Sequence, residues 1–373
     1  MTTELHPVGS RAVADHPVPT GKEEIWRFTP VEKLAEFFDE TLSRNGLWHH
    51  VEGISQNSQE PVATMGELDL GQSPRGQVLV PLDRSAAIAA TKHAANHLVL
   101  EGTLTQPIRM TLTGESTDPT SDHLVIEAKP YSSATVLITY TGVAHHIGNV
   151  EILVGEGAKL TVVSLQDWEP TSIHLGQHEA LVGKDATYRH IAVSLGGDIV
   201  RIQNNASYAS TGGDIELLGV YFADAGQHLE HRLFVDHNRP KGTSHVDYRG
   251  ALQGQGATSI WVGDVLIRPE AEGIETYESN KNLVLTDGCR AEAVPNLEIE
   301  TGEILGAGHS ASTGRFDDEQ LFYLRSRGIS EDEARRMVVR GFFAAILARI
   351  GIPDVEETLM ARIDTELSSD KEK

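Results

Sequence analysis

Histidine is abundant in this chain, with 17 copies against a single cysteine, Cys289. Spacing works against most of them acting together. His145 and His146 are adjacent, so in an extended strand they point to opposite faces and do not readily share one metal. His228 and His231, three apart, are split in the same way. His237 and His245 flank Asn238-Arg239-Pro240-Lys241-Gly242, which reads as a turn. All of these read as surface or core histidines before they read as ligands. His309 stands apart, in Gly306-Ala307-Gly308-His309-Ser310-Ala311-Ser312-Thr313-Gly314, where small neighbours leave an imidazole accessible. Composition alone still favours a satisfied surface histidine there. Cys289 sits in the turn-like Asp287-Gly288-Cys289-Arg290 and reads as an inert small residue before a reactive thiol.

Motifs for other chemistry are absent. Gly183-Lys184-Asp185 has neither the spacing nor the follower of a phosphate loop, and no nucleophile elbow, His-Glu-x-x-His or Cys-x-x-Cys occurs. One thiolate cannot supply the four-cysteine ligation usual for an iron–sulfur cluster, so any cluster this chain touches is shared or transient. A lone cysteine also fits a reducing compartment. With 31 Lys and Arg against 54 Asp and Glu, the net charge is −23. No basic stripe interrupts that acidity, which argues against nucleic-acid binding. No run approaches the ~20 apolar residues of a membrane helix. A soluble, cytoplasmic, non-enzymatic protein is expected.

The elements that would position His309 fall into zones. Residues 1–22 are polar, rich in Pro and His, and read as a flexible leader. Residues 23–96 read as a helical region: Pro30 opens a segment with Val31, Leu34, Phe37 and Phe38 on one face, and Ser85 is placed to cap a second helix over 83–96. Over residues 97–315 helical periodicity gives way to short runs of β-branched residues alternating with polar ones, at 135–140, 150–154, 160–165, 215–222 and 257–267. Glycine pairs such as Gly196 and Gly197, or Gly254 and Gly256, suit sharp corners between strands. Strands without crossover helices exclude a doubly wound sheet and leave a sandwich, a propeller or a β-solenoid. No blade-length repeat is visible, and irregular corners suit a β-helix whose rungs stack on one core.

Helix returns over residues 316–373. Asp317 or Asp318 can cap a helix ending near Arg327, with Gly328 as its left-handed terminator. Ser330 and Glu333 then form a capping box, and Gly351 and Pro353 mark a stop. Leu321, Phe322, Met337, Phe342 and Phe343 make an apolar stripe wider than one packing face needs. It packs against the chain's own β-region or docks another protein. The docking reading predicts that truncation after Gly314 leaves the β-region folded.

Residues 309–349 resemble the C-terminal signature of the SufB/SufD family of the SUF iron–sulfur cluster assembly system. The closest stretch is Gly314-Arg315-Phe316-Asp317-Asp318-Glu319-Gln320-Leu321-Phe322-Tyr323-Leu324-Arg325-Ser326-Arg327-Gly328-Ile329. Upstream, Asn280-Lys281-Asn282-Leu283-Val284-Leu285 and Pro295-Asn296-Leu297-Glu298-Ile299 look like the family's final β-helix rungs. Glu24-Ile25-Trp26-Arg27-Phe28-Thr29 is similar to the opening of its SufD branch.

The resemblance implies a mainly β protein, with a right-handed parallel β-helix core between N-terminal and C-terminal α-helical regions. It implies two partners: a SufB-like paralogue paired through the β-helices, and a SufC-like ABC ATPase gripping the C-terminal helices, with Leu321, Phe322, Met337, Phe342 and Phe343 as contacts. ATP-driven dimerisation of that ATPase would strain the pair and expose an interface where a nascent cluster forms on a SufB cysteine. His309 would lie nearby as a transient ligand of iron or cluster, with no cofactor stably bound. Two departures favour the SufD branch over SufB. Asn280 stands where SufB carries its scaffold cysteine, and Ser310 follows His309 where SufB has glutamate. Ala307-Gly308-His309-Ser310 also replaces the Cys-Ser-His-Gly common in the SufD branch. The rival readings are a SufB-type scaffold carrying the cluster on Cys289, a structural adaptor without iron contact, and a β-helix enzyme acting on polysaccharides.

Overall fold

The computed structural model describes residues 9–40, 46–55, 61–92, 94–316 and 318–368. Two short strands come first, β1 (Trp48–Glu52) and β2 (Val62–Leu68), then helix α1 (Arg84–Lys92) and strand β3 (Ala95–Glu101). β1 pairs antiparallel with β4 (Ile108–Ala128), and β2 pairs antiparallel with β3. β4 and β5 (Ser133–Val154) then run parallel to each other through two faces, with a register shift between Glu115 and Pro119. The first half of β5 pairs with β6 (Lys159–Trp168) and its second half with β7 (Ile173–Val182). From there the chain alternates between the faces. β8 (Thr187–Ser194), β10 (Asp214–Ala223), β12 (Thr243–Leu252), β14 (Glu275–Val284) and β16 (Gly306–Arg315) continue one. β9 (Ile199–Tyr208), β11 (His228–His237), β13 (Thr258–Ile267) and β15 (Arg290–Ile299) continue the other. The result is a parallel β-solenoid of about 8 turns.

All five β-runs read from the sequence lie within these strands, apart from Ala257 just ahead of β13. Alternation sends one set of side chains inward. Val162, Leu217 and Val246 on the first face, and Ile202, Leu233 and Val265 on the second, close one continuous interior core. Two mid-strand glycines are interior spacers. A Cβ on Gly219 would stand 2.1 Å from the Tyr248 ring, and one on Gly250 only 1.9 Å from the Tyr221 ring. In the ladder Gly219 is the partner of Tyr248 and Tyr221 of Gly250, so each ring occupies the room left by a missing side chain.

The N-terminal region differs from the helical reading. Among the described residues there only α1 is α-helical; Glu24–Trp26, Val31–Lys33 and Ala35–Phe38 are single 3₁₀ turns. Their aromatic residues explain why. Trp26, Phe37 and Phe38 are buried on the outside of the second face, against Ile147, Ile173 and Ile199. The buried Arg201 guanidinium stacks 4.1 Å over the Trp26 ring and donates to the Ile25 carbonyl. Thr29 donates to Glu230 at 2.8 Å. The cap of α1 is Asp83, which accepts from the Ala86 amide at 3.0 Å, and not Ser85, whose hydroxyl bonds Asp83 instead. Residues 1–8 of the expected leader lie outside the described residues. Within residues 9–22, Ser10 donates to the Pro81 carbonyl, Arg84 reaches the Val13 and His16 carbonyls, and His16 is buried.

Three helices follow β16: α2 (Asp318–Ser326), α3 (Glu331–Leu347) and α4 (Pro353–Ser368). Ser330 caps α3 by accepting from the Glu333 amide at 3.3 Å. Gly328, at φ +85°, adopts the left-handed conformation the sequence reading assigned to it. Asp317 and the side chain of Asp318 lie outside the described residues. α3 ends at Leu347, just ahead of the stop read at Gly351 and Pro353, and Pro353 opens a further helix, the position where its fixed φ and missing N–H are tolerated. Val339, Phe343, Ile346, Leu359 and Ile363 cover the outside of the first face, over Val163, Ile191, Val193, Leu218 and Val220. Truncation after Gly314 would uncover that face, so the expectation of an intact truncated β-region is withdrawn.

Candidate functional site

β15 and β16 pair on one side only among the described residues, with β13 and β14 respectively. The solenoid therefore ends in two free edges there. Pro295, which lacks a ladder donor, fits such an edge strand. His309 is the fourth residue of β16, on an inward-facing row. Its ladder partner is Glu278 on β14, followed down the row by Val246 and Leu217. No further rung among the described residues covers it, so its side chain remains 44% exposed while that of Glu278, one rung deeper, is 1% exposed. Small neighbours in the same strand, Ala307 and Ala311, leave the ring unobstructed, as the sequence reading anticipated.

Glu278 is the group that reading missed. Its Oε1 lies 3.6 Å from His309 Nδ1, and neither carboxylate oxygen has a hydrogen-bond partner among the described residues. Oε2 reaches the opposite wall: a Cβ on Gly263 would stand 2.5 Å from it, beside the Trp261 ring. Burial, reinforced by the charge of Asp264, pushes this carboxyl up to about 8, and the Asn296 backbone only partly opposes the rise. The available signal was its inward position, shared with Thr276, Asn280 and Asn282. Asn280 is fully buried, donating to the Tyr221 hydroxyl at 2.9 Å and to the Tyr248 carbonyl. It is a structural amide, two residues from Glu278.

Cys289 lies at the corner before β15, half-buried against the interior core, where its thiol donates to the Gly254 carbonyl at 3.4 Å. The adjacent and near-adjacent histidines divide between faces, as strand geometry requires. His146, His231 and His237 are buried inside, while His145 pairs with Glu36 and His228 with Glu230 outside. Burial lowers His146 and His237 to about 3 and His178 and His231 to about 4; it also takes His174 and His190 well below the usual range. Among the described residues no group of three or more His, Cys, Asp or Glu side chains is placed to hold a metal ion. His309 and Glu278 are a two-donor arrangement.

The apolar stripe of the C-terminal helices divides as well. Leu321 and Phe343 are buried in the chain's own core, and Phe342 is half-buried against it under the Arg249 guanidinium. Phe322 at 75%, Tyr323 at 56% and Met337 at 46% exposure remain on the surface. No helix among the described residues is long and apolar enough to cross a membrane.

Fold and site together define a parallel β-solenoid with helices over one face and a histidine–carboxylate pair at its open end. The family described as SUF system FeS cluster assembly, SufBD core domain, matches residues 110–342. A SufBD family protein of iron–sulfur cluster assembly from Mycobacterium leprae is 48% identical over 361 residues, covering 94% of this chain and 91% of the relative. Its counterpart from Mycobacterium tuberculosis is 47% identical over 360 residues, covering 94% and 89%. The iron–sulfur cluster assembly protein SufD of Escherichia coli is 23% identical over 380 residues, with the same coverage. The chain belongs to the SufB/SufD family of iron–sulfur cluster assembly proteins.

Proposed function

We propose that this chain is a SufD-type, non-enzymatic subunit that works with a SufB-like paralogue and a SufC-like ABC ATPase in the cytoplasm. Its part is to present His309 to a nascent cluster shared with the paralogue. The observation carrying this reading is the placement of His309: an inward-facing imidazole left half-exposed because the solenoid stops one rung above a buried carboxylate. A neutral imidazole donates well to iron, and a free solenoid end offers unpaired strand edges to a second solenoid. The cluster is the cargo of this site, not a resident cofactor. Asn280, at the position aligned with the scaffold cysteine of SufB, is locked in an amide–tyrosine network and offers no thiolate. Cys289 is tied to a carbonyl at a corner, which favours the SufD-type role over a scaffold built on that thiol.

The ATPase contact is assigned to the exposed side of the C-terminal helices, at Phe322, Tyr323 and Met337. Leu321, Phe342 and Phe343 support it from the intramolecular side. Helices anchored across the first sheet face would transmit ATP-driven movement to the solenoid.

Co-expression with the paralogue and the ATPase, followed by sizing and iron analysis, tests the reading. A complex of all three, with an iron–sulfur cluster retained only when the paralogue is present, is the expected result. A chain that stays apart from both, or that carries a full cluster alone, contradicts it.

A further inference from the structure

Resting on that reading of His309, we propose that Glu278 is a second ligand beside it, so that this chain alone offers a two-donor half-site for a divalent transition cation. The argument is geometric. At 3.6 Å the two groups are too far apart for a hydrogen bond. Ligand bonds of about 2.0–2.2 Å at a tetrahedral angle hold two donor atoms about 3.4 Å apart. His309 Nδ1 and Glu278 Oε1 therefore need shift only slightly to share one ion.

Apart from the nearby Asn296 backbone, nothing else among the described residues engages the carboxyl. It is buried in the last complete rung, and neither oxygen has a hydrogen-bond partner among the described residues. Ionising a buried carboxyl is costly, and a bound cation that replaces its proton offsets that cost. The missing side chain at Gly263 makes room for Oε2 beside the Trp261 ring, which leaves Oε1 as the oxygen turned to His309. One imidazole and one carboxylate suit ferrous, zinc or cobaltous ions and offer nothing to a thiophilic cuprous ion. The remaining coordination positions face the open end, where water or a donor from a paired subunit completes the shell.

Cobaltous ion is the probe, because its visible ligand-field absorption reports coordination directly. The full chain is titrated anaerobically as wild type, His309→Ala, Glu278→Gln and Glu278→Asp, with thermal melts of each to establish folding. Wild type should show one equivalent of bound ion whose visible band disappears in His309→Ala. Glu278→Gln should weaken binding by about tenfold or more, a loss typical of a removed ligand or its close support. Glu278→Asp, which keeps the charge but shortens the reach, should also bind more weakly while folding normally. A Glu278→Gln protein that titrates like wild type overturns the role of Glu278, while loss of the band in His309→Ala keeps the reading of His309. A wild-type protein without a His309-dependent band overturns the two-donor site.

Discussion

Arg362 on α4 reaches Asp167 at the end of β6, with its Nε 3.0 Å from Oδ1. This pair fastens the last helix to a strand laid down about half the chain earlier. It marks the C-terminal helices as part of the fold and not as an appended docking arm.

That integration separates two kinds of apolar residue on neighbouring helices. Phe343→Ala empties a fully buried site between α3 and the sheet and should destabilise the chain by about 3–5 kcal/mol. Phe322→Ala removes a largely exposed ring and should change stability by less than about 0.5 kcal/mol. The same substitution should weaken binding of the SufC-like ATPase about tenfold, as a central interface aromatic does. Chemical denaturation and a pull-down titration of both variants check the division. Equal stability losses, or undiminished ATPase binding by Phe322→Ala, count against it.

Acid stability follows from the interior. His146, His174, His178, His190, His231 and His237 are all held neutral by burial, with folded values below that of a free histidine. The unfolded chain therefore takes up more protons below about pH 6.5, and stability falls as pH drops through that value toward the folded values. One pH unit below it, each such group costs about 1.4 kcal/mol. Six acting together would consume most of a domain's ordinary stability. Melting followed by circular dichroism should thus show a steep decline between pH 6.5 and 5. A flat profile across that range contradicts neutral interior histidines.

Gly250→Ala should be poorly tolerated although glycine-to-alanine changes within strands are often harmless. The added methyl meets the Tyr221 ring at 1.9 Å, and the ring is itself bonded to Asn280 and Asn282. Overpacking of this kind costs about 1–3 kcal/mol. A melting temperature equal to wild type would show that the ring has room to move.

Cys289→Ser should sustain cluster maturation at near wild-type levels, because a serine hydroxyl replaces the weak thiol bond to the Gly254 carbonyl. Loss of maturation at normal protein abundance would revive a scaffold role for that thiol.

The parts legible in the sequence were those governed by local chemistry. Alternation of Val136, Ile138 and Tyr140 gave their strand, and Ser330 with Glu333 gave the start of α3. His309 stood out because its neighbours are small. What escaped depended on pairings across the solenoid. The burial of Trp26, Phe37 and Phe38 turned an expected helix into 3₁₀ turns, and nothing local announces the sheet they rest on. Phe343 and Phe322 look alike in the stripe until the helix is docked. Gly219 and Gly250 resemble corner glycines until the ladder sets each opposite a tyrosine. Glu278 becomes conspicuous only when parallel register sets it under His309, with no hydrogen-bond partner among the described residues.

The most direct measurement pairs His309→Ala with two readouts in the same cells: recovery of the complex with the SufB-like and SufC-like partners, and activity of a cluster-dependent enzyme. Truncating an exposed ring should change folding stability by less than about 0.5 kcal/mol, so the complex should be recovered intact. Cluster-dependent activity should fail or fall sharply. Full activity with the alanine variant would contradict the ligand role of His309, and loss of the complex along with the activity would make His309 structural.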